Sequence, residues 1–138
     1  MIVSLSAAIL ALQTDFDAAI AGPNSLPVAW PNAPFDADAQ TGLWAEFSVQ
    51  RSTDDEQLDV GAAVREYRAT GVLFVVLYCP PNTGTNASLV LAEQIQARYR
   101  TVEIAGISFD TPTVEPGARS GPWWRTTVRC PFDALYAA

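Results

Sequence analysis

Residues 71–100 place the tightest limit on how this chain can fold. Gly71 leads into Val72–Tyr78, a run that is apolar at both odd and even positions. Such a run marks a central strand. The turn Cys79-Pro-Pro-Asn-Thr-Gly-Thr-Asn86 follows, and a helix-like stretch from Ala87 to Arg100 has Leu91, Ile95 and Tyr99 on its inward side. A strand that passes through a Pro/Gly turn into an amphipathic helix is a core βα unit. Its turn sits where a phosphate-binding loop could be, but the P-loop needs Gly-Lys-Ser/Thr so that a lysine reaches the phosphates. Gly84 is followed by Thr85 and Asn86, so the unit is read as scaffold.

The residue types available narrow the chemistry further. The chain has no histidine, which removes Ser-His-Asp and Cys-His catalysis and histidine-bearing metal sites. It has no lysine either, and its 8 positive charges are all arginine. Every cation therefore sits on a planar fork suited to bidentate contacts, although arginine usage also follows genome composition. A net charge of −7 argues against sequence-independent binding to phosphate backbones. Cys79 and Cys130 are too few for a disulfide framework or a four-cysteine zinc site. They read as small core residues, with a bridge open to them if their strands are neighbours.

Along the chain, Leu5, Ile9, Leu12, Phe16 and Ile20 form one face of a helix from about Ser4 to Ile20, stopped by Gly22-Pro23. Its start has no basic segment, and Gln13, Asp15 and Asp17 soon interrupt the apolar positions. Neither a signal peptide nor a membrane span is expected, and a cytoplasmic setting follows. Pro27, Pro31 and Pro34 leave room for one short strand around Val28-Ala-Trp30. Residues 36–42 form a polar loop. Leu43, Ala45, Phe47 and Val49 then alternate with Trp44, Glu46, Ser48 and Gln50 in a half-buried strand ending at Arg51.

A charged loop or hairpin connection is expected at 52–60, with Asp54, Asp55, Glu56 and Asp59. Residues 63–69 extend the next strand, although Arg65-Glu-Tyr-Arg68 also fits a helical turn. Gly106 divides 102–109 into two short strands or a bend. Pro112, Pro116 and Pro122, with Gly117 and Gly121, predict a long mobile loop over 111–122. In the closing strand, Trp124, Thr126, Val128 and Cys130 are expected to face the core, and Trp123, Arg125, Thr127 and Arg129 the other side. The order predicts one α+β domain over residues 1–138, with a mixed, mostly antiparallel sheet and two main helices on one face.

Each candidate site has a plainer reading beside it. Asp36, Asp38 and Gln40 loosely match a calcium loop, but Thr41 and Phe47 stand where the EF-hand needs glycine and glutamate. Asp54, Asp55 and Glu56 could cluster for Mg²⁺ or acid–base work. In so polar a segment they read instead as solvated carboxylates that could meet an arginine across a subunit boundary. Trp123 with Arg125 and Arg129 could stack bases. The same set matches interface composition, since Trp and Arg are enriched at hot spots. Asn86-Ala-Ser88 matches a glycosylation sequon, and Thr85 or Asn86 fits the N-cap of the second helix.

Nearly the whole chain resembles the small tail-terminator proteins of long-tailed bacteriophages and prophage-like elements. The resemblance rests on features in order. A short N-terminal helix leads into the Pro-rich strand Val28-Ala-Trp30-Pro-Asn-Ala-Pro-Phe35. Gly71 then opens an apolar strand, Pro80-Pro-Asn-Thr-Gly84 turns into a helix, and a closing strand ends near Phe132. Proteins of that family assemble as a hexameric ring on the tip of a finished tail tube, stop its polymerisation and join the filled head. The resemblance therefore implies a virion protein assembled in the host cytoplasm, with no catalytic residue, cofactor or metal. It also implies, as partners, further copies of the chain, the tube protein and a head-completion or neck protein, with DNA passing through the channel unbound. Another neck protein, or a small ligand-binding domain or enzyme using the 80–86 turn, are the alternatives.

Overall fold

The computed structural model describes residues 4–51, 56–57 and 66–137. Helix α1 spans Leu5–Phe16, and Ser4 caps it by accepting from the Ala7 amide. Leu5, Ala8, Leu12 and Phe16 are its buried stripe. A π-turn, Asp17–Ala21, closes on the Gly22 amide, which donates to the Asp17 carbonyl at 2.7 Å. That extra residue shifts the helical phase, and Ile20 and Ala21 are both buried.

Strand β1, Val28–Ala29, is short, as the prolines require, and runs parallel to β2, Trp44–Arg51. Strand β3, Glu56–Gln57, pairs with β4, which runs unbroken from Glu66 to Cys79. Gly71 does not divide 66–69 from 72–78, contrary to the expectation of two strands, and residues 63–65 lie outside the described residues. Glycine costs entropy inside a strand, but the closing strand pairs on both sides of it and carries the ladder through. Helix α2, Asn86–Thr101, packs Leu91, Ala92, Ile95 and Tyr99 inward.

Strands β5, Glu103–Ile104, and β6, Ile107–Phe109, form a hairpin. Its central residues, Ala105 and Gly106, have φ of 49° and 84°, the positive values that a tight hairpin turn demands. Residues 113–120 are not a loop but strand β7, paired with β8, Trp123–Ala137. Pro116 and Gly117 fall inside a register shift between Glu115 and Ala118. A bulge absorbs a proline without losing the ladder around it, so the Pro/Gly content misleads here.

The eight-stranded sheet runs β1-β2-β4-β8-β6-β5, with β3 on β4 and β7 on β8. It is mixed and mostly antiparallel, and both helices cover the same face. The core between the layers holds Leu12, Phe16, Phe47, Leu73, Val75, Leu77, Ile95, Tyr99, Ile107 and Val128. Pro131 sits where the outer partner of β8 changes from β7 to β6, and its carbonyl accepts from Asp110 at 2.9 Å. The amide it lacks would point the same way, so the β4–β8 ladder loses nothing.

Cys79 and Cys130 do lie on neighbouring strands, yet both are free. Cys79 stands opposite Trp124, whereas Cys130 stands opposite Leu73, six residues along the ribbon. That is about 20 Å at strand rise, far beyond disulfide reach.

Candidate subunit interface

The sheet face turned away from the helices carries the residues suited to assembly. Directly paired residues share a face, so the register assigns it row by row. Trp44, Tyr78 and Arg125 make one row across β2, β4 and β8. Glu46, Val76, Thr127 and Glu115 make the next, and Ser48, Phe74, Arg129 and Thr113 a third. Neither helix packs on this side. The even half of the apolar run, Val72, Phe74 and Val76, is therefore only half-buried, whereas Leu73, Val75 and Leu77 are fully enclosed.

One end of the face is an aromatic cluster. Trp44 stacks on Tyr78 with ring centroids 4.2 Å apart, tilts against Phe35 at 5.0 Å and meets the edge of Trp123 at 5.7 Å. These contacts leave Trp44 only 5% exposed although it faces away from the core. Its indole N–H has no hydrogen-bond partner among the described residues. Burial raises the Tyr78 hydroxyl above its usual range and the Glu46 carboxylate adds to this, while Arg125 opposes it.

Trp123, Arg125 and Arg129 thus lie on one face, on the side opposite the core. Trp124 departs from expectation. It has the parity of the core residues, but it sits past the end of the helix layer, 37% exposed, with its indole over Gly117. Asp54 and Asp55 lie outside the described residues. Glu56 opens β3 opposite Arg68. Sequence reasoning missed the roles of Tyr78, Phe35 and Phe74 in this face. The signal was present in the double-sided apolar run 72–78, which promised a second buried surface that no helix in this chain supplies.

The model of the phage tail terminator family matches residues 5–132, from the start of α1 through most of β8. The chain belongs to that family. It is accordingly a structural protein of phage tails. No curated protein matches it. A solved structure whose name states no function superposes with a TM-score of 0.61 over 89% of this chain and 92% of its own, at 17% identity, which shows a shared fold. Among the described residues, no helix is long and apolar enough to cross a membrane, and no three His, Cys, Asp or Glu side chains gather to hold a metal.

The 80–86 turn joins β4 to α2. Asn82 and Gly84 take positive φ, and the Thr83 hydroxyl donates to the Pro80 carbonyl at 2.8 Å. Thr85 occupies the N-cap position of α2 without a side-chain capping bond, and Ser88 donates back to its carbonyl at 2.9 Å. The turn packs near the β7–β8 tip around a cleft of about 150 Å³, lined mainly by prolines, Trp123, Trp124 and Arg119. Those walls are largely apolar, and Arg119 is the one cation among them.

Proposed function

We propose that this chain closes into a ring that caps the tail tube, ends tube polymerisation and presents the surface that joins the filled head. Family membership over residues 5–132 supports the tail role. The observation that carries the assembly reading is the bare sheet face, where half of an apolar strand is left without a helix beside Trp123, Arg125 and Arg129. Apolar area flanked by Arg and Trp is the composition of a protein–protein contact. The ring is hexameric in this reading, with the tube protein on one side and a head-completion or neck protein on the other. DNA passes through it without specific binding, in keeping with the net charge of −7. The protein would then reside in the virion at the neck, after assembly in the host cytoplasm.

Electron microscopy of lysates from the parent phage lacking this gene tests the proposal. Overlong tails of irregular length, unattached to filled heads, are the expected outcome. Tails of normal length that fail to join heads would instead mark a different neck protein.

A further inference from the structure

We propose that the exposed turn Pro31-Asn-Ala-Pro34 of one copy docks in the cleft at the β7–β8 tip of the next copy in the ring. The inference rests on the ring reading above and names a contact that would close it. The cleft holds about 150 Å³ between Pro80, Pro81, Pro122, Trp123, Trp124 and Arg119. A space of that size takes a single ring rather than a helix. Walls of Trp and Pro suit a proline, since proline-rich segments dock on aromatic-lined surfaces.

The chain itself presents such a segment. Trp30 packs on Phe16 and Phe47, on the helix side of the sheet, with ring centroids 6.0 and 5.2 Å apart. Phe35 packs on Trp44, on the bare side. Residues 31–34 therefore pass around the β1 edge of the sheet, and all four are exposed. The turn is already shaped: the Ala33 amide donates to the Trp30 carbonyl at 3.3 Å, and Asn32 takes a φ of 53°. Little freedom is left to lose on docking.

Charge selects the same pairing. The segments that build the cleft carry no acid: residues 79–92 are uncharged, and 116–132 hold only Arg119, Arg125 and Arg129. Arg119 is exposed and makes no ion pair among the described residues. Glu46 and Glu115 point to the bare sheet face, whereas Arg119 has the parity of Trp124 and points to the other. The first turn of α2 borders the cleft without a side-chain cap, and its partial positive charge adds to that of Arg119. The turn at 31–34 is the reverse. Exposed Asp36 and Asp38 follow it, and no cationic side chain precedes Arg51. Arg125, in the row of Trp44, lies two strands away beyond Tyr78.

The occupant is a second copy because the turn cannot reach its own cleft. β2, β4 and β8 stand between β1 and β7. That is about 19 Å at ordinary strand spacing. A contact joining opposite edges of one sheet is heterologous and generates a ring when its rotation closes.

Disulfide trapping in the full chain tests this with Ala33→Cys on the turn and Pro122→Cys on the rim of the cleft. Both positions are exposed and both native cysteines are buried, and circular dichroism checks that each variant folds. Oxidising the double variant, alone and on purified tail tubes, should give a ladder of covalent multimers up to the size of the ring. Neither single variant should cross-link. Equal cross-linking in a single variant would mark random collision and overturn the inference. Covalent dimers without higher multimers would mean reciprocal two-fold docking, also against it. Rings of wild-type mass that give no ladder would overturn it and leave the ring reading standing. If the Pro122→Cys thiol were then shielded from a maleimide only on tubes, the cleft would belong to the tube protein instead. A wild-type chain that remains monomeric even on purified tubes would remove the ring reading itself.

Discussion

The ring of Phe132 fills the space that a β-carbon on Gly71 would need. Built there, the Cβ would stand 2.6 Å from Phe132 Cζ and 2.6 Å from the Gln50 carbonyl oxygen. Gly71 lies between β2 and β8, opposite both Arg51 and Phe132, so the Gln50 carbonyl can yield only by a shift of β2 and the Phe132 ring only by leaving its packed position. The glycine is required by close approach, since its φ is not positive.

Gly71→Ala should therefore destabilise the fold by roughly 1–3 kcal/mol, the usual range for overpacking. Urea unfolding would measure it, as a lower midpoint with an unchanged slope. An unaffected midpoint would mean that the Phe132 ring can rotate away at no cost.

Asp15 on α1 and Arg98 on α2 tie the two helices together. Arg98 donates through Nε at 3.3 Å and through Nη2 to the two oxygens of one carboxylate. The hydrogen bonds to Asp15 hold the guanidinium in its charged form more firmly still. Asp15 is 14% exposed but Arg98 is 39% exposed, so solvent screens much of the attraction. A double-mutant cycle with Asp15→Asn and Arg98→Ala should give a coupling of about 1 kcal/mol or less. It should shrink in about 1 M salt. A coupling that ignores salt would point to packing rather than charge.

Burial pushes the Cys130 thiol from 9.0 up to about 12. The folded value lies above the unfolded one, so the fold keeps a proton that the unfolded chain releases. Stability is then fully present below pH 9.0 and declines as pH rises toward about 12. Tyr99, raised mainly by burial, and Tyr78 act in the same direction at higher pH. Melting temperatures should fall as pH rises from about 9 toward 12, with a shallower slope in Cys130→Ala. Parallel slopes in the two proteins would assign the loss to the tyrosines instead.

Trp124 lies over the β7 bulge, where a β-carbon on Gly117 would stand 1.9 Å from its indole nitrogen. Gly117→Ala should lift the ring into solvent and red-shift the part of the fluorescence that Trp124→Phe removes. Because the indole is already partly exposed, the stability cost should stay below about 1 kcal/mol. A larger loss would show that the indole anchors the hairpin rather than lying on its surface.

The chain's local pattern determined the helices, the strand alternation at 43–51, the βα unit at 71–100 and the absence of histidine-based chemistry. Each of these follows from side-chain periodicity or from which residue types exist. The 111–122 segment could not be read the same way. Prolines and glycines there mark a loop by composition, yet a bulge let β7 pair through them, because β8 was available as a template. The cysteines show the same limit. Neighbouring strands made a bridge conceivable, and only the register, which places them six residues apart, excluded it. Trp124 has the parity of the core but lies beyond the helices that would cover it. Periodicity tells which side a residue faces, and only the packed layers decide what, if anything, covers that side. For this chain they left one half of a doubly apolar strand uncovered.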